Sequence, residues 1–153
     1  MGLIIRSATL ADLDVLLTFE QGIITAERPF DGTLREGHIN YYDIADMIKS
    51  DHVEVAVAEL DGELVGSGYA RIEDVKPYHK YQQHAYLGFM FVKPEHRGMD
   101  VNKKILEALT TWVRSKGITE LRLEVYTENA RAIKAYEKAG FKPILTWMRK
   151  DIS

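Results

Sequence analysis

Two apolar segments separated by a helical one constrain this chain most. Residues 85–92 (AYLGFMFV) form a nearly continuous apolar run, as in a strand buried on both faces. Leu121, Leu123 and Val125 alternate, which reads as a second strand. Between them Ile105, Leu106, Leu109, Trp112 and Val113 make one helical stripe, stopped by Gly117. A strand–helix–strand unit of this kind closes as a parallel pair with a right-handed crossover. The junction inside it, residues 92–105 (VKPEHRGMDVNKKI), passes from strand end through a tight polar turn to a helix start. Backbone N–H groups there lack helical partners and carry the positive end of the helix dipole, which suits an anion such as phosphate.

The remaining segments fit around this unit. Leu3 to Arg6 is a short edge strand, and Thr9 with Asp12 has capping-box spacing before a helix bearing Leu13, Leu16, Leu17, Ile23 and Ile24. Pro29 ends that helix, and residues 27–32 (ERPFDG) form a loop displaying Phe30. Tyr41, Ile44, Ala45 and Ile48 have helical spacing, closed by Ser50 and Asp51. Val53, Val55 and Val57 alternate, Asp61-Gly62 marks a hairpin turn, and Leu64, Val65 and Tyr69 continue the return strand. Residues 74–83 are polar and read as a loop. Asn129 caps a helix with Ala132, Ile133 and Tyr136 on one face, Gly140 ends it, and residues 141–148 read as a last strand. The order is β-α-α-β-β-β-α-β-α-β: an α/β fold in a single domain over 1–153, with neither repeat nor linker.

The chain's 153 residues, 46% hydrophobic and 28% charged, can bury a core and do not read as disordered. A net charge of −3 argues against a general nucleic-acid binder. Without cysteine there is no disulfide, thiolate metal site or cysteine nucleophile. The five histidines have no metal-ligand spacing, so no metal is expected. No apolar run approaches the ~20 residues of a membrane span and no leader is evident, so a cytoplasmic protein without membrane or nucleic-acid partners is expected.

Three pieces in order resemble the GCN5-related N-acetyltransferase superfamily: the V-K-P-E-H-R-G-M-D-V-N loop, LEVYTEN at 123–129, and NARAIKAYEKAGF at 129–141. The resemblance covers nearly the whole chain. It implies a twisted, mostly antiparallel sheet whose central parallel strand pair splays at a cofactor cleft, with helices on both faces. It further implies acetyl-CoA as acyl donor. The backbone of Phe91 and Val92 would pair with the pantetheine arm like an added strand, and Asn129 would hydrogen-bond that arm. Arg97, Gly98, Met99, Asp100, Val101, Asn102 and Lys103 would cradle the pyrophosphate. Asp100 and Asn102 stand where the family carries glycines. Both tolerate positive φ, but Asp100 puts a carboxylate beside the expected anion.

By the same resemblance Tyr136 protonates the departing thiolate, although its spacing taken alone favours a core residue. Glu124, on the opposite strand face from Leu123 and Val125, is the candidate general base; Tyr86, His84 and Glu73 are rivals, and pairing with Arg122 or a lysine is the plain alternative. The first two helices and loop 27–33 should wall the acceptor pocket, with Phe30, Tyr41, Tyr42 and Tyr86 as substrate-binding candidates. The expected reaction is direct attack of a primary amine, from a small molecule or peptide, on the thioester. Freeing a lysine amine at pH 7 costs about 4.6 kcal/mol and an α-amine only about 1 kcal/mol, so an α-amine asks less of the base. A homodimer is common among proteins with this resemblance. The competing reading is a non-catalytic or weakly CoA-binding sensor module. A nucleotide binder fits poorly, because neither a GxxxxGK[ST] loop nor an early GxGxxG is present.

Overall fold

The computed structural model describes residues 2–153. Its strands and helices follow the expected order up to residue 138. They are β1 (Leu3–Ser7), α1 (Leu13–Glu27), α2 (Ile44–Lys49), β2 (Val53–Leu60), β3 (Glu63–Asp74), β4 (Gln83–Val92), α3 (Val101–Ser115), β5 (Leu121–Arg122) and α4 (Ala130–Lys138). The strands form one sheet in the order β1-β2-β3-β4-β5. The first three neighbouring pairs are antiparallel, and β4 with β5 is parallel. This is the mixed α/β fold expected, with helices on both faces.

Each face carries its own apolar layer. On one, α3 lays Val101, Ile105, Leu106, Leu109 and Val113 against Ala56, Ala58, Val65, Ala70, Ala85 and Leu87 of the sheet. On the other, Leu16 and Phe19 of α1 and Ile44 and Met47 of α2 cover Val55, Val57, Leu64, Tyr69 and Phe89. Alternation along the strands sends successive side chains to opposite layers, which is why β3 is buried over most of its length.

The starts and stops match their residues. Asp12 accepts from the Thr9 N–H at 2.8 Å. The Asp61-Gly62 turn has positive φ at both positions, as a two-residue hairpin turn of this kind requires. Asp43 caps α2 through the Asp46 N–H, so this helix is shorter than its apolar spacing implies and Tyr41 lies outside it. Asn129 caps α4 through the Ala132 N–H, and Gly140 leaves that helix with φ +99°.

Two expectations need correction. Residues 141–148 do not form a strand: beyond Phe141 the chain is exposed, without regular secondary structure and without a backbone–backbone hydrogen bond among the described residues. Apolar alternation signals a segment suited to a sheet, but it does not supply the neighbour. Consequently the parallel pair closes one side of the hydrogen-bonded sheet instead of lying in its middle. The strand expected at 121–126 is also paired only at Leu121 and Arg122, opposite Ala85 and Tyr86.

Candidate active site

The divergence of β4 from β5 has a local cause. Pairing between β3 and β4 slips between Ser67 and Tyr69, and Phe89 takes φ +56°. This bulge turns β4 just beyond the two residues that pair with β5. The buried Ser67 hydroxyl donates to the Phe89 carbonyl at 2.9 Å and pins the turn. A Cβ on Gly88 would stand 2.7 Å from the Tyr69 ring, so glycine lets the buried tyrosine close over the strand. The result is a pair of parallel strands that separate toward their C-terminal ends, beside the N-terminus of α3.

At that N-terminus the turn has the conformation a phosphate cradle needs. Gly98 has φ +85° and Asp100 φ +59°. The first helical bond runs from the Lys104 N–H to the Asp100 carbonyl at 3.0 Å, leaving the N–H groups of Val101, Asn102 and Lys103 without helical acceptors. A Cβ at Gly98 would meet nothing within 4 Å, so space lies open above the turn. Arg97, Met99, Asp100, Lys103 and Lys104 surround it, Asp100 exposed and in no ion pair among the described residues. Asn102 sits inside α3 with helical φ, so glycine is not required there on conformational grounds. These residues fit a CoA pyrophosphate in backbone geometry; Asp100 opposes it in charge.

Of the acid–base candidates, Tyr86 and Glu124 come together. The Tyr86 hydroxyl donates to a Glu124 carboxylate oxygen at 2.9 Å across the diverging strands. Burial first, then that carboxylate, pushes the Tyr86 phenol far above its ordinary value, so it is a donor and not a base. Arg122 pairs with Glu120, which removes the ion pair that could have occupied Glu124. Glu73 is occupied: His84 lies 3.0 Å from one oxygen and Arg71 donates to the other at 2.6 Å. Burial pushes the Glu73 carboxyl up, but these bonds outweigh it and the net shift is downward. Among the described residues no three histidine or acidic side chains converge as a metal ligand set.

Tyr136 lies on the α4 face that meets the sheet, edge-on to Phe141 at 5.8 Å. Burial, then the charge of Glu27, raises its phenol to about 12, and no hydrogen bond contributes. Phe91 packs on Phe19 at 4.7 Å, so its side chain is core while its main chain edges the cleft.

The acceptor-side candidates fall into two groups. Tyr42 stacks edge-on against Tyr69, Phe89 and Tyr41, and Tyr69 leads on to Tyr86 at 6.4 Å, with the Arg71 guanidinium over both rings. Phe30 instead faces Tyr126 at 6.0 Å. Two carboxylates not foreseen from the sequence organise this region. Glu20, fully buried in α1, accepts from the Tyr41 and Tyr42 N–H groups at 2.6 and 2.8 Å. A charge inside the apolar face Leu16, Phe19, Ile23, Ile24 was the available signal, since buried carboxylates are rare unless bonded. Asp31 accepts from the Thr33 backbone and hydroxyl, the Tyr126 hydroxyl and Arg149. The Thr33 bonds, then Arg149, hold its carboxyl well below the usual range. Glu27, between these groups, is pushed up by burial; the Tyr41 hydroxyl is near it electrostatically but makes no hydrogen bond of good geometry.

Comparison with known proteins agrees with this geometry. The uncharacterized N-acetyltransferase YobR of Bacillus subtilis is 36% identical over 58 residues, 38% of this chain and 24% of that protein's length. An N-alpha-acetyltransferase of Sulfurisphaera tokodaii is 26% identical over 145 residues, 92% of this chain and 80% of that one. A Clostridium acetobutylicum protein described as a predicted acetyltransferase, solved with acetyl-CoA, superposes with a TM-score of 0.74 at 17% identity, covering 99% of this chain and 97% of its own. The sequence model of the acetyltransferase (GNAT) family matches residues 23–141, which hold the C-terminal end of α1, the forked strands, the α3 turn and Tyr136, and this chain belongs to that family.

Proposed function

We propose that this chain moves the acetyl group of acetyl-CoA to a primary amine by direct attack. The observation that carries the reading is the fork itself: β4 and β5 pair only at Ala85–Tyr86 with Leu121–Arg122 and then part, beside a helix N-terminus whose N–H groups are free. When bound, acetyl-CoA supplies an activated thioester carbonyl. The unpaired backbone beyond Tyr86 and Arg122 offers its pantetheine arm a strand-like seat, and the turn from Arg97 to Lys103 receives the pyrophosphate. Asn129 keeps its helix-capping bond and adds a side-chain amide at the same edge.

Glu124 takes the proton from the acceptor ammonium, directly or through one water, while the Tyr86 hydroxyl holds its carboxylate in place. Tyr136 stands as donor to the departing sulfur. With a phenol near 12 it stays protonated throughout the working range. Full transfer to a thiolate near 8.5 is uphill by about 5 kcal/mol, so its contribution is a hydrogen bond, and the net proton comes from the acceptor amine. In this reading a backbone N–H near Val92 stabilises the oxyanion.

The acceptor enters from the α1–α2 side, past Tyr41, Tyr42 and Tyr86, where Glu27, Asp31 and Glu124 favour a cationic amine; Phe30 walls the Tyr126 side. A cytoplasmic location and action without nucleic acid or membrane fit this reading; among the described residues no helix is long and apolar enough to cross a bilayer. One feature favours a second reading, a weak CoA-binding module: Asp100 at the pyrophosphate turn, with no cation paired to it among the described residues. Titration calorimetry with acetyl-CoA, followed by thiol release in the presence of a panel of α-amines, diamines and lysine peptides, separates them. Binding with thiol release supports the enzyme. Binding without release for any amine supports the module, and no binding at all sinks both.

A further inference from the structure

A square of side chains on β3 and β4 is built around one guanidinium. Arg71 and Glu73 project from one face of β3, two residues apart, and stand opposite Tyr86 and His84 on β4. The Arg71 guanidinium lies 5.2 Å from the centre of the Tyr86 ring and 5.6 Å from that of Tyr69. Its Nε and Nη2 both donate to one Glu73 oxygen, at 3.0 and 2.6 Å, and His84 lies 3.0 Å from the other oxygen. Two rings and a carboxylate thus hold a long side chain that is still partly exposed. Neither sheet pairing nor the proton path through Glu124 requires so ordered a cation.

A guanidinium has two edges that can hold a carboxylate. Glu73 takes the Nε–Nη2 edge. On the other edge, Nη1 meets only the Tyr69 hydroxyl, at a long 3.4 Å, and the second Nη2 hydrogen has no acceptor among the described residues. Arg71 also lines a groove of about 430 Å³ between α2 and the sheet, walled by Tyr41, Tyr42 and Met47. Asp43 and Asp46 stand on its α2 side, Asp43 engaged in capping that helix. The Tyr86 side chain links the free edge to the reacting centre. Its ring supports Arg71, and its hydroxyl donates to Glu124 at 2.9 Å. A cation and a carboxylate are therefore set apart by one phenol. An acceptor that meets both carries an amine and an acid group on one small skeleton.

We propose, resting on the acetyl-transfer reading above, that the acceptor is a free amino acid. Its amine meets Glu124, its carboxylate takes the Nη1–Nη2 edge of Arg71, and its side chain enters the groove beside Tyr42. A carboxylate fits better than a phosphate. Glu73 already offsets the Arg71 charge, so recognition comes from paired, pre-aimed N–H donors, and a dianion would also face Glu73, Asp43 and Asp46. In a peptide the carboxylate next to the amine has become an amide and no longer fills this edge. Glu124 takes one proton from the ammonium. The nitrogen then bonds to the acetyl carbon, the C–S bond breaks with its electron pair on sulfur, and the second proton of the nitrogen passes to that sulfur.

Thiol release from acetyl-CoA tests this with each standard amino acid, its α-amide, putrescine, a lysine peptide and O-phosphoethanolamine. At least one amino acid should exceed its own amide in kcat/KM by about ten- to a hundredfold, chiefly through KM, although the amine of the amide is the more readily freed. In Arg71→Gln that ratio should fall to about threefold or less, by loss on the free acid. Amides equal to their acids throughout the panel would overturn the proposal, as would a ratio that Arg71→Gln leaves intact. So would putrescine, the lysine peptide or O-phosphoethanolamine outrunning every amino acid. Release with none of these amines would instead overturn the acetyl-transfer reading itself, and this inference with it.

Discussion

The Tyr86 hydroxyl and the Glu124 carboxylate meet at 2.9 Å, one from each of two strands that have just ceased to pair. This bond joins two of the acid–base candidates across the fork, and it assigns them unequal roles. Glu124→Gln should lower kcat/KM by 10²–10⁴-fold, with the loss greater for lysine-like than for α-amine acceptors, because the former needs more help to lose its proton. Tyr86→Phe should cost about tenfold or less, since it frees the carboxylate without removing it. Steady-state kinetics on the two acceptor classes checks the ranking; equal losses for both variants would deny Glu124 its role.

Tyr136→Phe should lower kcat by about 10²-fold with little change in KM. Its hydroxyl enters no protein hydrogen bond, so melting temperature should hold while activity falls. A parallel loss of stability would return Tyr136 to the status of a packing residue.

Alkaline stability follows from the same cluster. Tyr42, Tyr69, Tyr86 and Tyr136 are all raised above 10 by burial, Tyr136 to about 12. A phenol held protonated in the fold stabilises fully below pH 10, and that contribution is lost as pH climbs through the raised value. Thermal melts between pH 9 and 12 should therefore fall steeply, and the fall should be shallower for Tyr86→Phe. An unchanged slope in that variant would contradict the assignment.

Asp100→Gly combines two effects of one sign. Glycine relieves the positive φ of 59° and removes the charge facing the phosphate seat. For an exposed carboxylate the electrostatic gain is about 1 kcal/mol, roughly five- to tenfold in Kd, shrinking with added salt. Asp100→Ala should tighten binding less, because alanine inherits the strained conformation. Calorimetry of CoA at two salt concentrations distinguishes the two variants.

Glu20→Ala removes the acceptor of two backbone N–H groups and leaves a void in α1. A cost of about 3 kcal/mol is expected, or about 6–12 °C in melting temperature for a chain of this size. KM for the amine should rise too, since Tyr41 and Tyr42 lose their anchor.

What could be read beforehand, and what could not, divides along physical lines. Hairpin, crossover helix, caps and the α3 turn follow from period and local chemistry, so Asp61-Gly62, Asn129 and Gly98 are where their residue types put them. The bulge at Phe89 left no trace, because an apolar run looks the same straight or kinked; only Gly88 inside it hinted at a close approach. Tail residues 141–148 show the converse. Their pattern reports a wish for burial on both faces and is silent on what provides it. Glu20 was visible as a charge in an apolar stripe, but its partners lie 21 and 22 residues away, beyond any local rule.

Asp31 has a consequence for the order of assembly. Its bonds to Tyr126 and Arg149 close loops of 95 and 118 residues. Contacts so distant along the chain form only after the intervening strands are in place, and surface ties of this kind are the first to open. The acceptor wall should therefore be the last part of the molecule to become rigid and the first to exchange its amide hydrogens, while the forked strands beneath it stay closed. Access for an amine and resistance to unfolding would then be governed by different parts of one small sheet.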